Sequence, residues 1–165
     1  MRFNKHHRKQ LQRYRKMRNF LIKWSKFLWK HKWLYYLLMC TWGFIYLIAS
    51  LIVSLVLLIF GYKPKRTPIG WKFEIKNSWG GFELGISFVR DRTSYAALDW
   101  HEMGHSFQMC LFGPFFIFII GLPSAIRYWY RYLRYERKGK NPPTKYDDIW
   151  FEGSATEIGR ELFGK

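Results

Sequence analysis

Between Lys32 and Lys63 the chain carries no charged side chain, and nothing else in the sequence constrains the fold as strongly. Leu34 to Phe60 is dense in Leu, Ile, Val and Phe. As one helix it would reach roughly 40 Å, beyond the roughly 30 Å of a bilayer's hydrocarbon core. Trp33, Tyr35, Tyr36 and Tyr62 stand at the ends, where aromatic rings favour the interface. The reading is one N-terminal transmembrane helix over residues 33–62. A cleaved signal peptide fits less well, because the basic region before it is long and no small-x-small cleavage site follows.

The flanks sharpen this. Twelve Lys or Arg and no acidic residue occupy Met1 to Lys32, interleaved with Tyr14, Phe20, Trp24 and Trp29. Such a basic segment suits an anionic surface, and lipid head groups are preferred over nucleic acid because an apolar stretch follows directly. The cations favour a cytoplasmic N-terminus on an integral membrane protein with the remainder across the bilayer, although Lys63, Lys65 and Arg66 pull the other way. The 165 residues carry a formal charge of +17, yet 49% are hydrophobic and 21% aromatic, which excludes a disordered tail. Cys40 and Cys110 each lie in an apolar run and read as small buried hydrophobes.

Residues 63–165 read as one further domain. In "WKFEIKNSWGGFELGISFV", Trp71, Phe73 and Ile75 alternate with charged residues, a Gly-containing turn follows, and Phe82 to Val89 resumes, which predicts a β-hairpin. Thr93 or Ser94 can cap a helix that runs through Ala96 and Ala97 to about Phe112, where Gly113-Pro114 stops it. The apolar run after it is interrupted by Gly121 and Pro123, which favours a re-entrant or buried segment over a second span. Arg127 to Lys138 predicts a helix with basic and aromatic stripes, "GKNPPTKYDD" a loop, and Ile149 to Phe163 a last short helix. The expected fold is α+β, mainly α.

The chemistry sits in "HEMGHSFQ". On a helix His101 and His105 face the same way and can present two imidazoles to one ion, with Glu102 beside them. Zn²⁺ suits neutral imidazoles, and a neighbouring carboxylate can serve as general base. These are the only histidines after residue 31, and Gly104 between them suits a face approached closely by another segment. A catalytic zinc usually has three protein ligands, so the third must come from Glu136, Asp147, Asp148, Glu152, Glu157 or Glu161. Glu152 is favoured because Ala155, on the same helix, can pack against the motif helix; Glu157 is the runner-up. Gln108 can support a ligand or substrate through its amide, and Tyr146 can stabilise an oxyanion.

The pair "HEMGH" and "EGSA" resembles the zincin metallopeptidases of the gluzincin type. More narrowly, "HEMGHSFQMCLFGPFFIFIIGLPS" followed by "WFEGSA" is similar to small bacterial membrane proteins with His-Glu-x-Gly-His-x-x-Gln, Gly-Pro and Gly-x-Pro-Ser. The likeness covers about Ile69 to Gly159, with Met103 standing where an aromatic is expected. It implies a zincin-like unit in a bacterial cell membrane, with His101, His105 and Glu152 as Zn²⁺ ligands and Glu102 as the base for peptide hydrolysis. Intramembrane proteases of the site-2 type are a weaker likeness, since "NPPTKYDD" only faintly matches their Asn-Pro-Asp-Gly-like context. The expected partners are an anionic bilayer, a peptide or protein substrate and, given the small domain, a partner membrane protein. The alternatives are a non-catalytic membrane protein with a structural zinc, and a basic membrane adaptor.

Overall fold

The computed structural model describes residues 5–76, 80–93 and 97–164. Its class is α+β and mainly helical, with one small sheet. Helix α1 spans Lys5–Lys30. Leu21, Ser25 and Leu28 follow one another at helical spacing and are buried, so this face is covered although the helix is strongly basic. It lies on α6, Trp150–Phe163. Arg18 reaches Glu157 at 3.0 Å and Lys26 reaches Glu161 at 2.7 Å. The basic stretch is packed on the rest of the chain.

The charge-free stretch does not form the single straight helix expected of it. Helices α2, Lys32–Thr41, and α3, Phe44–Ile59, meet at a bend of 86°, and no single helix among the described residues is long and apolar enough to cross a membrane. Two causes are visible. A Cβ at Gly43 would stand 2.9 Å from Met39 Sδ, so the break closes tightly on itself. Tyr35 and Met39 are also drawn into the core, with Tyr35 donating its hydroxyl to the Gly85 carbonyl at 3.0 Å. Burying these two residues fixes α2 across α3. Cys40, on the other face of α2, is exposed, contrary to the expectation that both cysteines are buried.

The sheet has the order β1-β2-β4-β3, with β1 Lys65–Arg66, β2 Trp71–Ile75, β3 Gly81–Glu83 and β4 Ser87–Asp91. This corrects the expected hairpin. β2 pairs in parallel with β4, Phe73 opposite Val89, while the antiparallel hairpin is β3–β4, Phe82 opposite Val89. The turn at Leu84, Gly85 and Ile86 makes it, with Gly85 at φ +96°. Every residue of β4 is buried, so β4 takes the inner place and leaves glycine-containing β3 at the edge. Asn77, Ser78 and Trp79, where the turn was expected, lie outside the described residues, as do Ser94 and Ala96 of the expected helix cap and first turn.

Helix α4, Ala97–Phe112, carries the histidine motif and packs against β3, β4 and α6. Asp99 in its first turn receives Lys72 at 2.6 Å and Arg90 at 2.5 Å, pinning the helix start to the sheet. Small residues let α4 and α6 approach closely. A Cβ on Gly104 would lie 2.0 Å from the Ala155 carbonyl oxygen, and one on Gly159 only 1.8 Å from that of Trp100. After Phe112 a 3₁₀ turn and a π-turn, Ile117–Gly121, reverse the chain by 114° into α5, Leu122–Arg134. Phe116 and Ile120 point inward from this turn, whereas Phe115, Ile117 and Phe118 are exposed.

Candidate metal centre

The close α4–α6 packing brings the motif histidines to Glu152 in the first turn of α6. His101 Nε2 lies 3.1 Å from His105 Nε2, and Glu152 Oε2 lies 3.1 Å from the first and 3.3 Å from the second. These three form a group able to hold a metal ion. Ligands at about 2.05 Å around a tetrahedral zinc are about 3.3 Å apart, close to the separations found. Glu152 is fully buried, and its Oε1 has no hydrogen-bond partner among the described residues, an arrangement that a cation would satisfy.

Both imidazoles are held from behind in the form a metal needs. His105 Nδ1 is 2.7 Å from Gln108 Oε1, while the Gln108 amide nitrogen donates to the Phe151 carbonyl and to Ser154 Oγ. That amide orientation makes Oε1 the acceptor, so His105 Nδ1 carries a proton in either charge state, and in the neutral ring Nε2 is the nitrogen left with a lone pair for a metal. His101 Nδ1 is 2.8 Å from Thr156 Oγ1, whose own hydroxyl donates to Asp147 Oδ2 at 3.0 Å. The same logic makes Nε2 the nitrogen that His101 turns toward Glu152 and His105. Gln108 therefore orients the His105 ring from behind. Thr156, Ser154 and the use of Asp147 as an anchor escape a motif search, because they recur at no standard offset.

Charge follows geometry. Burial opposes ionisation of Glu152, yet hydrogen bonds and charge from the two histidines hold its carboxyl well below the ordinary range. His105 shows the converse: burial pulls it down, but Glu152 more than compensates and raises it. A metal ion bound here would replace the imidazolium proton as the carboxylate's partner.

His101 and His105 line one side of a cavity of about 750 Å³, together with Glu83, Glu102, Phe116, Ile120 and Tyr146. Glu102 is buried and outside the metal-holding group. Burial raises its carboxyl above the usual value, opposed by His101 and His105. Its Oε1 lies against β3, where a Cβ on Gly81 would come within 2.8 Å. Tyr146 sets its ring at a tilt to His101, centroids 6.4 Å apart, and its hydroxyl meets Ser124 Oγ at 3.1 Å. Burial and then the Glu152 charge push the phenol up, so it stays a donor. Arg127 and Arg131 lie over that ring and fasten the loop through the carbonyls of Lys145 and Thr144.

The other carboxylates are elsewhere. Glu157 pairs with Arg18 and Glu161 with Lys26, which removes both from the cluster. Glu83 was not singled out from sequence, because a lone glutamate on a short edge strand carries no signal. It is buried, its Oε1 accepts the Leu84 N–H at 3.1 Å, and burial followed by the charge of Glu102 raises it well above the carboxylate range. Comparison of the chain with protein-family models, curated proteins and solved structures finds no match.

Proposed function

We propose that the protein is a membrane-associated zinc peptidase in which His101, His105 and Glu152 hold the ion and Glu102 is the general base. The observation that carries this reading is the convergence of three ligand atoms, all within 4.8 Å of one another, with both Nδ1 atoms already engaged from behind. Among the described residues the group has three protein members, which leaves an open position of the kind catalytic zinc sites keep and structural sites close.

Zn²⁺ would supply Lewis acidity at that open position. The remaining work falls to the chain. Glu102 sits on the cavity wall with a carboxyl whose proton affinity is raised by burial, suited to taking a proton from water on one oxygen and returning it to the leaving amine. Tyr146, kept protonated, can donate a hydrogen bond to the peptide carbonyl oxygen as negative charge develops there. Gln108 and Thr156 hold the imidazoles so that their lone pairs converge. Arg127 and Arg131 keep Tyr146 in place.

Zinc content and cleavage of a fluorogenic peptide library by the detergent-purified chain test this directly. Glu102→Gln should keep its metal and lose about 10²- to 10⁴-fold in rate. A variant as active as the wild type would remove Glu102 from the mechanism.

A further inference from the structure

We infer that the protein inserts into one leaflet of an anionic bilayer from a single side and crosses it nowhere, so that the basic helix, the sheet and the metal cluster share one face of the membrane. The inference rests on the membrane part of the proposed function and is independent of the metal.

Elements held together in one core lie on one side of a bilayer, so the chain between them crosses it an even number of times or not at all. α1 precedes the charge-free stretch and α6 ends the chain, yet they are joined by the Arg18–Glu157 and Lys26–Glu161 pairs and by Leu21, Leu28 and Ile158 in one core. They therefore lie on the same side. α4 and α6 are likewise joined, through Gly104 against Ala155 and through Glu152 against both histidines. The segment between α4 and α6 thus makes no net crossing, and neither does the segment between α1 and α4.

Two features of α3 exclude a crossing that is later undone. Its 16 residues reach about 24 Å at 1.5 Å each, short of a hydrocarbon core of about 30 Å. It is also pinned sideways to the sheet, Ser50 Oγ to Ser87 Oγ at 2.6 Å and Trp71 Nε1 to Ser54 Oγ at 2.8 Å. A spanning α3 would carry β2, β4 and the exposed edge strand β1 to membrane depth, where open sheet edges are not tolerated.

What α3 does offer is an apolar outer face, with Ile52, Leu55, Ile59 and Phe60 exposed. The turn after α4 offers a second, through Phe115 and Phe118. The two meet at their bends. Trp42 packs on Phe115 with centroids 6.2 Å apart, and Tyr46 accepts the Ile117 N–H at 3.0 Å while donating to the Pro114 carbonyl. Joined, they make one apolar surface of the kind that marks a membrane or partner contact. Its occupant is identified by charge. With a net charge of +17 and twelve cations in the first 32 residues, a second copy is repelled, whereas anionic head groups bordering an apolar interior complement both features. Phe116 and Ile120 belong to the inserted turn and also wall the cavity, so the cavity lies at head-group level, accessible to substrates held at the membrane surface.

The test places single cysteines at exposed positions in the full chain carrying Cys40→Ser, with buried Cys110 retained and its background measured alone. Lys16→Cys reports on α1 and Lys140→Cys on the loop beyond α5. A membrane-impermeant maleimide is applied to intact cells and to inverted membrane vesicles. Both positions should label from the same face, the cytoplasmic one, and the chain should sediment with membranes and float with phosphatidylglycerol vesicles. Labelling of the two from opposite faces would overturn the inference, as would recovery of the chain in the soluble fraction without detergent. A chain without zinc would leave these readouts unchanged, so failure of the metal site and failure of the topology are separable.

Discussion

The α4–α6 interface and the α3 outer face invert the usual distribution of side chains. At the first, Glu152 is fully buried among imidazoles, an amide and a hydroxyl; at the second, Ile59 and Phe60 are 75% exposed. Burying a carboxylate is costly unless it is paired, and the interface meets that condition with two histidines whose far nitrogens are already satisfied. The outer face has no such internal answer, since no other element among the described residues covers Ile59 and Phe60. One region is closed by chemistry within the chain; the other is left open by the described residues. Both depend on glycine, which lets α4 meet α6 at Gly104 and lets α2 turn from α3 at Gly43.

The α4–α6 interface is most vulnerable at Gly104. Gly104→Val forces side-chain atoms into the Ala155 carbonyl, where a Cβ alone would stand at 2.0 Å. Overpacking of this kind costs about 1–3 kcal/mol or more. Thermal unfolding and zinc content measured together should show a destabilised chain that has lost its metal. An unchanged melting temperature would mean that α4 and α6 do not pack as described.

A milder cut leaves the packing and removes one support. Gln108→Ala takes away the acceptor for His105 Nδ1, and comparable losses behind metal-bound histidines cost about 10- to 100-fold in affinity. Competition with a zinc chelator reads this out, and Thr156→Val should act in the same direction at His101. Equal affinity in both variants would show that the imidazoles need no orientation from behind.

The smallest effect concerns Glu83. Its carboxyl is raised in the folded chain by burial and by Glu102, so folding retains a proton that unfolding would release. Stability is then highest below the unfolded value of about 4.3 and falls as pH rises through it. Glu83→Gln lacks that proton. The variant should gain stability relative to the wild type as pH increases through the carboxylate range and show no such gain at the acidic end. A pH-independent difference between their melting temperatures would contradict the burial of an ionisable carboxyl at this position.

Much of the site was legible because its chemistry is written at helical offsets. His101, Glu102 and His105 follow from the spacing of four, and Glu152 was preferable to Glu157 because Ala155 marks the face that a neighbouring helix can approach. Glu157, one turn further on, faces α1. The supports behind the ligands were half legible, Gln108 by position and Thr156 not at all, since a threonine on an amphipathic helix looks the same whether or not a histidine leans on it. The strands were legible but their pairing was not. Alternation reports which residues share a face and is silent on which strand lies beside which, so a burial pattern closing β4 on both sides had to be seen in three dimensions. The bend at Gly43 was hidden for a similar reason: one glycine in a long apolar run is compatible with a straight helix, and only the inward pull on Tyr35 and Met39 decides otherwise.

Zinc stoichiometry on detergent-purified chain, comparing wild type with Glu152→Ala and Glu157→Ala, decides whether the buried cluster holds a metal. Three converging ligands predict about one zinc per chain in the wild type and in Glu157→Ala, and its loss in Glu152→Ala. Zinc retained in Glu152→Ala, or absent from the wild type after reloading, would contradict the account.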